Sequence, residues 1–192
     1  MQWRNSDERY GAISVALHWS GAGAVLLMLT TATLMALAPG REAYLPLVKL
    51  HASIGITIAL LLAIRIAWHF AARQPRKLSD QPALNRLAQV VHAALLVLIG
   101  CQLVTGPLDI WSGGFPFGWF GVATVPNPVP GLFKAQHDAI GTLHAWTGWT
   151  IAGLVGLHLA GVAKHLLIDR DGTLRRMLGQ SPTEARQGPS RG

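Results

Sequence analysis

The stretch IGTLHAWTGWTIAGLVGLHLAGVAKHLLI, residues 140–168, decides how this chain is read. It carries no acidic residue and a single lysine, Lys164, near its end. It is longer than the roughly 20 apolar residues that cross the hydrocarbon of a bilayer as a helix. Within it, His144 and His158 stand 14 residues apart. At about 3.6 residues per turn this is nearly four turns, so both imidazoles share one helix face at depths about 21 Å apart. Such a helix can support two stacked metal centres if other helices bring histidines to the same two levels.

The rest of the chain matches this reading. Its 192 residues are 51% hydrophobic and only 13% charged, with a mean hydropathy of +0.35. That is more apolar than a soluble domain of this size. Residues 13–38, 47–71 and 87–111 are also apolar over at least about 20 positions each. The expected fold is an all-α integral membrane protein, a bundle of four transmembrane helices.

A formal charge of +7 raises the question of nucleic acid, and the placement of the basic residues answers it. Arg4, Arg9, Arg73, Arg76, Lys77, Arg86, Lys164, Arg170, Arg175, Arg176, Arg186 and Arg191 flank the spans on one side; Arg41, Lys49 and Lys134 lie on the other. This asymmetry is a topology signal that puts both termini in the cytoplasm, and no nucleic-acid partner is expected. Ala36-Leu37-Ala38 imitates a signal-peptidase site, but the apolar run before it is too long for a signal peptide and Pro39 follows, so the first span is expected to be retained. Cys101 is the only cysteine, lies within the third span and reads as a packing residue.

Residues 1–178 form one expected transmembrane domain, and residues 179–192 a polar, disordered tail. Residues 39–46 read as a tight external connection. The long segment 112–139 contains Trp119-Phe120 and Pro126-Asn127-Pro128-Val129-Pro130, and is expected to lie at the interface over the external end of the bundle, as a lid or a plug.

An ionisable side chain in hydrocarbon normally faces the bundle and has a partner. His51 and His144 each lie about one turn inside the external ends of their spans, so they are level. His18, about two turns into the first span, matches His158 near the cytoplasmic side, with His92 of the third span a competitor at that depth. The face shared by His144 and His158 favours His158. Two imidazoles per level, without cysteine or carboxylate, are too few for a closed tetrahedral zinc site and suit the two axial positions of a haem. Gly21, Gly23, Gly55, Gly141, Gly148, Gly156 and Gly161 near these histidines suggest room for a flat macrocycle, or simply close helix packing.

Two further residues belong to this pattern. Arg65 follows His51 by 14 residues, repeating the His144–His158 spacing. It therefore faces the bundle at the cytoplasmic level, as a candidate partner for a haem propionate, unless it snorkels to the surface. His165 faces nearly the same way as His158 and ends near the headgroups, a candidate quinone or propionate contact. His69 and His137 lie near the interfaces, where a solvated role is the simpler reading.

The segments Ala16-Leu17-His18-Trp19, Lys49-Leu50-His51 and Leu143-His144 resemble the bacterial cytochrome b561 family. The most specific part runs from Gly156-Leu157-His158 through Lys164-His165 to Ile168-Asp169-Arg170-Asp171-Gly172-Thr173-Leu174-Arg175-Arg176-Met177. The resemblance covers residues 9–178 and extends to a wider group of four-helix di-haem b cytochromes, including cytochrome subunits of hydrogenases and formate dehydrogenases. It implies two haems b, an outer one held by His51 and His144 and an inner one by His18 and His158, with His92 outside the ligand set. Family members commonly carry two adjacent histidines where Lys164-His165 stands here.

The resemblance also implies a bacterial inner-membrane location, a place in electron transport, and exchange with ubiquinone on the inner side. Some members are similar to superoxide oxidases, and Arg41, Lys49 and Lys134 suggest a positive funnel for that small anion. The expected function is transmembrane electron transfer to or from the quinone pool, with superoxide or a periplasmic protein as the external donor. The alternative is a membrane-anchoring cytochrome b subunit of a larger dehydrogenase, hydrogenase or reductase. A histidine-lined metal transporter is the remote reading; it leaves the two-level pairing unexplained and lacks intramembrane carboxylates for coupling ions. A homo-oligomer is a candidate assembly, and the sequence assigns no catalytic residue.

Overall fold

A computed structural model describes residues 2–76, 81–114, 117–170 and 172–179. Four of its helices are long and apolar enough to cross a membrane. They are α1 (Ala12–Ala36), α2 (Arg41–Ala71), α3 (Pro82–Ser112) and α4 (His137–Lys164), the last continued by a π-helical turn, His165–Asp169. A short helix, α5 (Thr173–Met177), follows. Residues 180–192 of the expected tail, and Lys77, lie outside the described residues.

The helices start earlier than hydropathy suggests. α2 begins at Arg41 and carries Pro46 inside it, so the external connection is only the turn after α1 and not the whole of 39–46. Pro46 is the sixth residue of α2, just past the point where the backbone ladder begins with the Tyr44 amide donating to the Gly40 carbonyl. It therefore removes one bond near the helix end rather than in its middle. α3 opens on Pro82, whose fixed φ suits the first helical position. At 31 residues each, α2 and α3 are about 46 Å long, so their ends project beyond a hydrocarbon core of about 30 Å.

α1 packs on α2, α2 on α3 and α3 on α4. The buried side chains of the mid-bundle core come from all four spans: Ala24, Leu62, Ile99 and Ile151. Large apolar residues such as Leu60, Phe70, Val97 and Trp146 point outward, as a surface that faces lipid requires. The core layer lies between the levels of the two histidine pairs.

One end of the bundle is basic. There Asp7 pairs with Arg73 at 2.9 Å, Asn5 donates to the Arg73 carbonyl, Arg176 donates to the Arg76 carbonyl, and the Trp19 indole donates to the Met177 carbonyl. These contacts gather residues before α1, between α2 and α3, and after α4.

The opposite end is closed by an antiparallel hairpin, β1 (Phe117–Trp119) and β2 (Ala123–Val125). Its turn places Phe120 at φ 47° and Gly121 at φ 74°, the left-handed pair that matches strand twist. The hairpin docks on α2: the Phe120 amide donates to Ser53 Oγ at 3.0 Å, and the Trp119 indole donates to Thr57 Oγ1 at 3.0 Å. The aromatic segment is therefore tied to α2 at this end by these two bonds.

Candidate functional site

At the hairpin end, α2 and α4 bring His51 and His144 together edge to face, with ring centroids 6.3 Å apart and planes at 86°. Each ring is held from behind by a threonine of a neighbouring span. His51 Nδ1 lies 2.7 Å from Thr31 Oγ1, and His144 Nδ1 lies 3.0 Å from Thr105 Oγ1. Gly106 lets the His144 ring lie against α3; a Cβ there would come within 3.2 Å of Cε1.

At the basic end, His18 of α1 and His158 of α4 stand with centroids 6.4 Å apart. His92 is closer to His158, at 5.1 Å between centroids, with its Nε2 3.2 Å from His158 Nδ1. Two nitrogens sharing one metal ion, each at about 2 Å on opposite sides, would stand about 4 Å apart. At 3.2 Å, His92 and His158 are hydrogen-bonded instead.

The two cross-bundle pairs fit a bis-imidazole iron. Imidazoles on opposite sides of one ion, each with a metal–nitrogen bond of about 2 Å and about 1.1 Å from nitrogen to ring centre, have centroids about 6.2 Å apart. α4 packs closely along α3 and stands off from α1 and α2, so these rings reach across a gap. Among the described residues, no three histidine, cysteine, aspartate or glutamate side chains converge as a closed metal site demands. Each level instead presents one cross-bundle pair of imidazoles, the donor set that would suit a haem.

The profile of prokaryotic cytochrome b561 matches residues 9–180. The chain is also similar to cytochrome b561 homolog 2 of Escherichia coli (strain K12), 36% identical over 190 residues, covering 96% of this chain and 98% of that protein. The chain belongs to the prokaryotic cytochrome b561 family. It is a multi-pass protein of the bacterial inner membrane and an electron-transfer cytochrome of the haem b type.

Within this cytochrome the other sequence-selected residues fall in distinct places. Arg65 is half-buried at the basic-end level, with Nη2 3.4 Å from His18 Nδ1. Its stem crosses Gly21, where a Cβ would meet Cδ at 2.5 Å, so that glycine makes room for the arginine. Gly55, Gly141 and Gly148 likewise face side chains of Met28, Asp109 and Gln102, whereas Gly23, Gly156 and Gly161 face open space. His165 sits in the π-helical turn with Nδ1 3.2 Å from Asp169 Oδ2, and Lys164 Nζ bonds the same carboxylate at 2.6 Å. His69 is exposed, as a solvated interfacial histidine should be.

Sequence reasoning missed four residues of this region. Thr31 and Thr105 had no distinguishing pattern, because threonine in a helix usually bonds only its own backbone. Asp109 lies in the last turn of α3 at the hairpin end, 3.6 Å from His137 Nδ1; Ser112 bonds that same nitrogen at 3.0 Å. The signal for Asp109 was present, since an acid within a span normally has a partner. Gln102 donates to the His144 carbonyl at 3.0 Å and so ties α3 to α4 at this histidine.

Proposed function

We propose that this chain conducts electrons across the inner membrane through two b haems and exchanges them with ubiquinone at the cytoplasmic face. His51 and His144 hold the outer haem, and His18 and His158 the inner one. The observation that carries this reading is the pair of cross-bundle separations, 6.3 and 6.4 Å between ring centroids, at two depths of one helix. When bound, the haems supply one-electron chemistry; the protein contributes spacing, ligation and electrostatics.

The chain's own groups divide the work. The apolar layer of Ala24, Leu62, Ile99 and Ile151 lies between the two levels and keeps water from the path between them. Arg65 is the cation for the inner site. A guanidinium can only donate, so beside it His18 Nδ1 accepts and the His18 proton sits on Nε2. Ligation through Nε2 requires the opposite tautomer, and Arg65 then turns to another acceptor, for which a propionate is the matching anion. At the basic end, Asp169 draws Lys164 and His165 together on the π-helical turn, a backbone irregularity frequent at functional sites. His165 is the proton-transferring contact for the quinone in this reading.

Superoxide as the external donor rests on the family resemblance. The bases of the hairpin end, Arg41, Lys49 and Lys134, are exposed, but Glu42, Asp109 and Asp138 accompany them, so formal charges there cancel. The test uses the purified protein in ubiquinone-containing liposomes, with superoxide supplied outside and haem reduction followed by stopped flow. Haem reduction and quinol formation faster than spontaneous dismutation are expected. Reduction by a membrane-impermeant one-electron donor but never by superoxide would remove superoxide and leave the electron path. Reduction by neither would remove the path.

A further inference from the structure

We propose that Thr31 and Thr105 are paired positioning residues of the outer site, fixing the tautomer of both ligands and lowering the potential of the outer haem. The inference rests on the assignment of that haem to His51 and His144. Both hydroxyls are buried, with Thr31 3% and Thr105 6% exposed, so their hydrogen bonds must be made within the protein.

Each hydroxyl has one hydrogen, and each has a backbone carbonyl ready to take it. Thr31 Oγ1 lies 2.9 Å from the Met28 carbonyl, which the His51 ring also approaches, and 3.2 Å from that of Leu27; Thr105 Oγ1 lies 2.9 Å from the Cys101 carbonyl and 3.5 Å from Gln102 Oε1. With the hydrogen spent on the backbone, the oxygen is left to accept from Nδ1–H of His51 or His144. The proton on Nδ1 leaves Nε2 as a bare lone pair directed away from the threonine. Both ligands are thus held in the tautomer that binds iron, with every donor and acceptor satisfied.

An Nδ1–H that donates makes its imidazole a stronger electron donor at Nε2. A stronger axial donor stabilises ferric over ferrous iron, and so lowers the potential. The basic-end site is built differently. There His158 Nδ1 faces an imidazole, His92, and His18 Nδ1 faces a guanidinium, Arg65, which cannot accept its proton.

The test is redox titration and electron paramagnetic resonance of the haem-loaded protein carrying Thr31→Val, Thr105→Val or both, with Thr31→Ser and Thr105→Ser as rescues. Valine keeps the shape of threonine and removes the hydroxyl. Thr33→Val is the control, because the Thr33 hydroxyl bonds only the Leu29 carbonyl among its resolved contacts and is exposed. Each Val variant is expected to raise the reduced-to-oxidised ratio of the outer haem at fixed ambient potential by about threefold to tenfold, tenfold being about 59 mV for one electron. The outer low-spin signal should change with it, serine should restore both, and the inner haem should not move.

Loss of the outer haem in the Val variants with retention in the Ser variants also supports the role. Retention with unchanged potential and signal in both Val variants overturns the proposal and leaves the outer-site assignment standing. A shift in the haem that survives His51→Ala overturns both.

Discussion

His92 Nε2 lies 3.2 Å from His158 Nδ1, a hydrogen bond that ties the third span to the fourth at the basic-end pair; in the proposed arrangement His92 backs the ligand His158. Ligation of iron by His158 Nε2 leaves Nδ1–H to donate to His92. Removing a partner of this kind commonly costs about 10–100-fold in metal affinity, whereas removing a ligand abolishes the site. His92→Ala should therefore keep both haems while altering the potential of the inner one alone, and His158→Ala should lose that haem. Haem content by pyridine haemochrome, read beside a redox titration, separates the two. A His92→Ala protein with one haem would make His92 a ligand.

Arg65 supplies positive charge at the level of the inner site, where a cation favours the reduced, less positive iron. Arg65→Gln is expected to lower the inner potential and leave the outer one in place. Gly21→Ala should act in the same direction, because its Cβ would meet the arginine stem at 2.5 Å and force it aside. Potentiometric titration checks both; an inner potential indifferent to Arg65→Gln would mean that the guanidinium has no influence on the haem.

The hairpin cap depends on Ser53, the most deeply buried polar side chain of α2 at 1% exposure. Its Oγ accepts from the Phe120 amide and bonds the Lys49 carbonyl. Ser53→Ala leaves the amide without this acceptor, at a cost of about 1–2 kcal/mol. Hydrogen exchange over 117–125 should accelerate by about 5–30-fold, with the exchange of α3 and α4 unchanged. Unaltered exchange in the hairpin would mean that other contacts hold it.

Asp169 orients Lys164 and His165 through bonds of 2.6 and 3.2 Å. Asp169→Asn keeps the shape but removes the charge that gathers the Lys164 ammonium and the His165 ring. In liposomes this variant should raise KM for ubiquinone by about tenfold or more, the loss of roughly one charge-assisted hydrogen bond, with both haem spectra intact. A fall in haem content with KM unchanged would tie the cluster to haem retention rather than to quinone.

Much of the bundle was legible because two periodicities coincide. Fourteen residues separate both His144 from His158 and His51 from Arg65, and the structure finds each of these four groups at the depth that helical rise assigns. The start of α2 was hidden by Pro46, which reads as a breaker but costs the helix only one backbone bond near its N-terminal end. The hairpin was hidden by Phe120, a bulky residue at a positive φ where the usual turn signal is asparagine followed by glycine. Thr31 and Thr105 were hidden for another reason: their role depends on which span packs beside which, and no single helix records that.

The central claim is that four histidines make two separate haem sites, and the most direct test is a redox titration of haem absorbance in the wild type and in His18→Ala, His51→Ala, His144→Ala and His158→Ala. Two b-type components are predicted in the wild type, one lost in both His51→Ala and His144→Ala, the other lost in both His18→Ala and His158→Ala. An intact two-component titration in any of the four variants, or loss of the same component from His144→Ala and His158→Ala, would contradict the account.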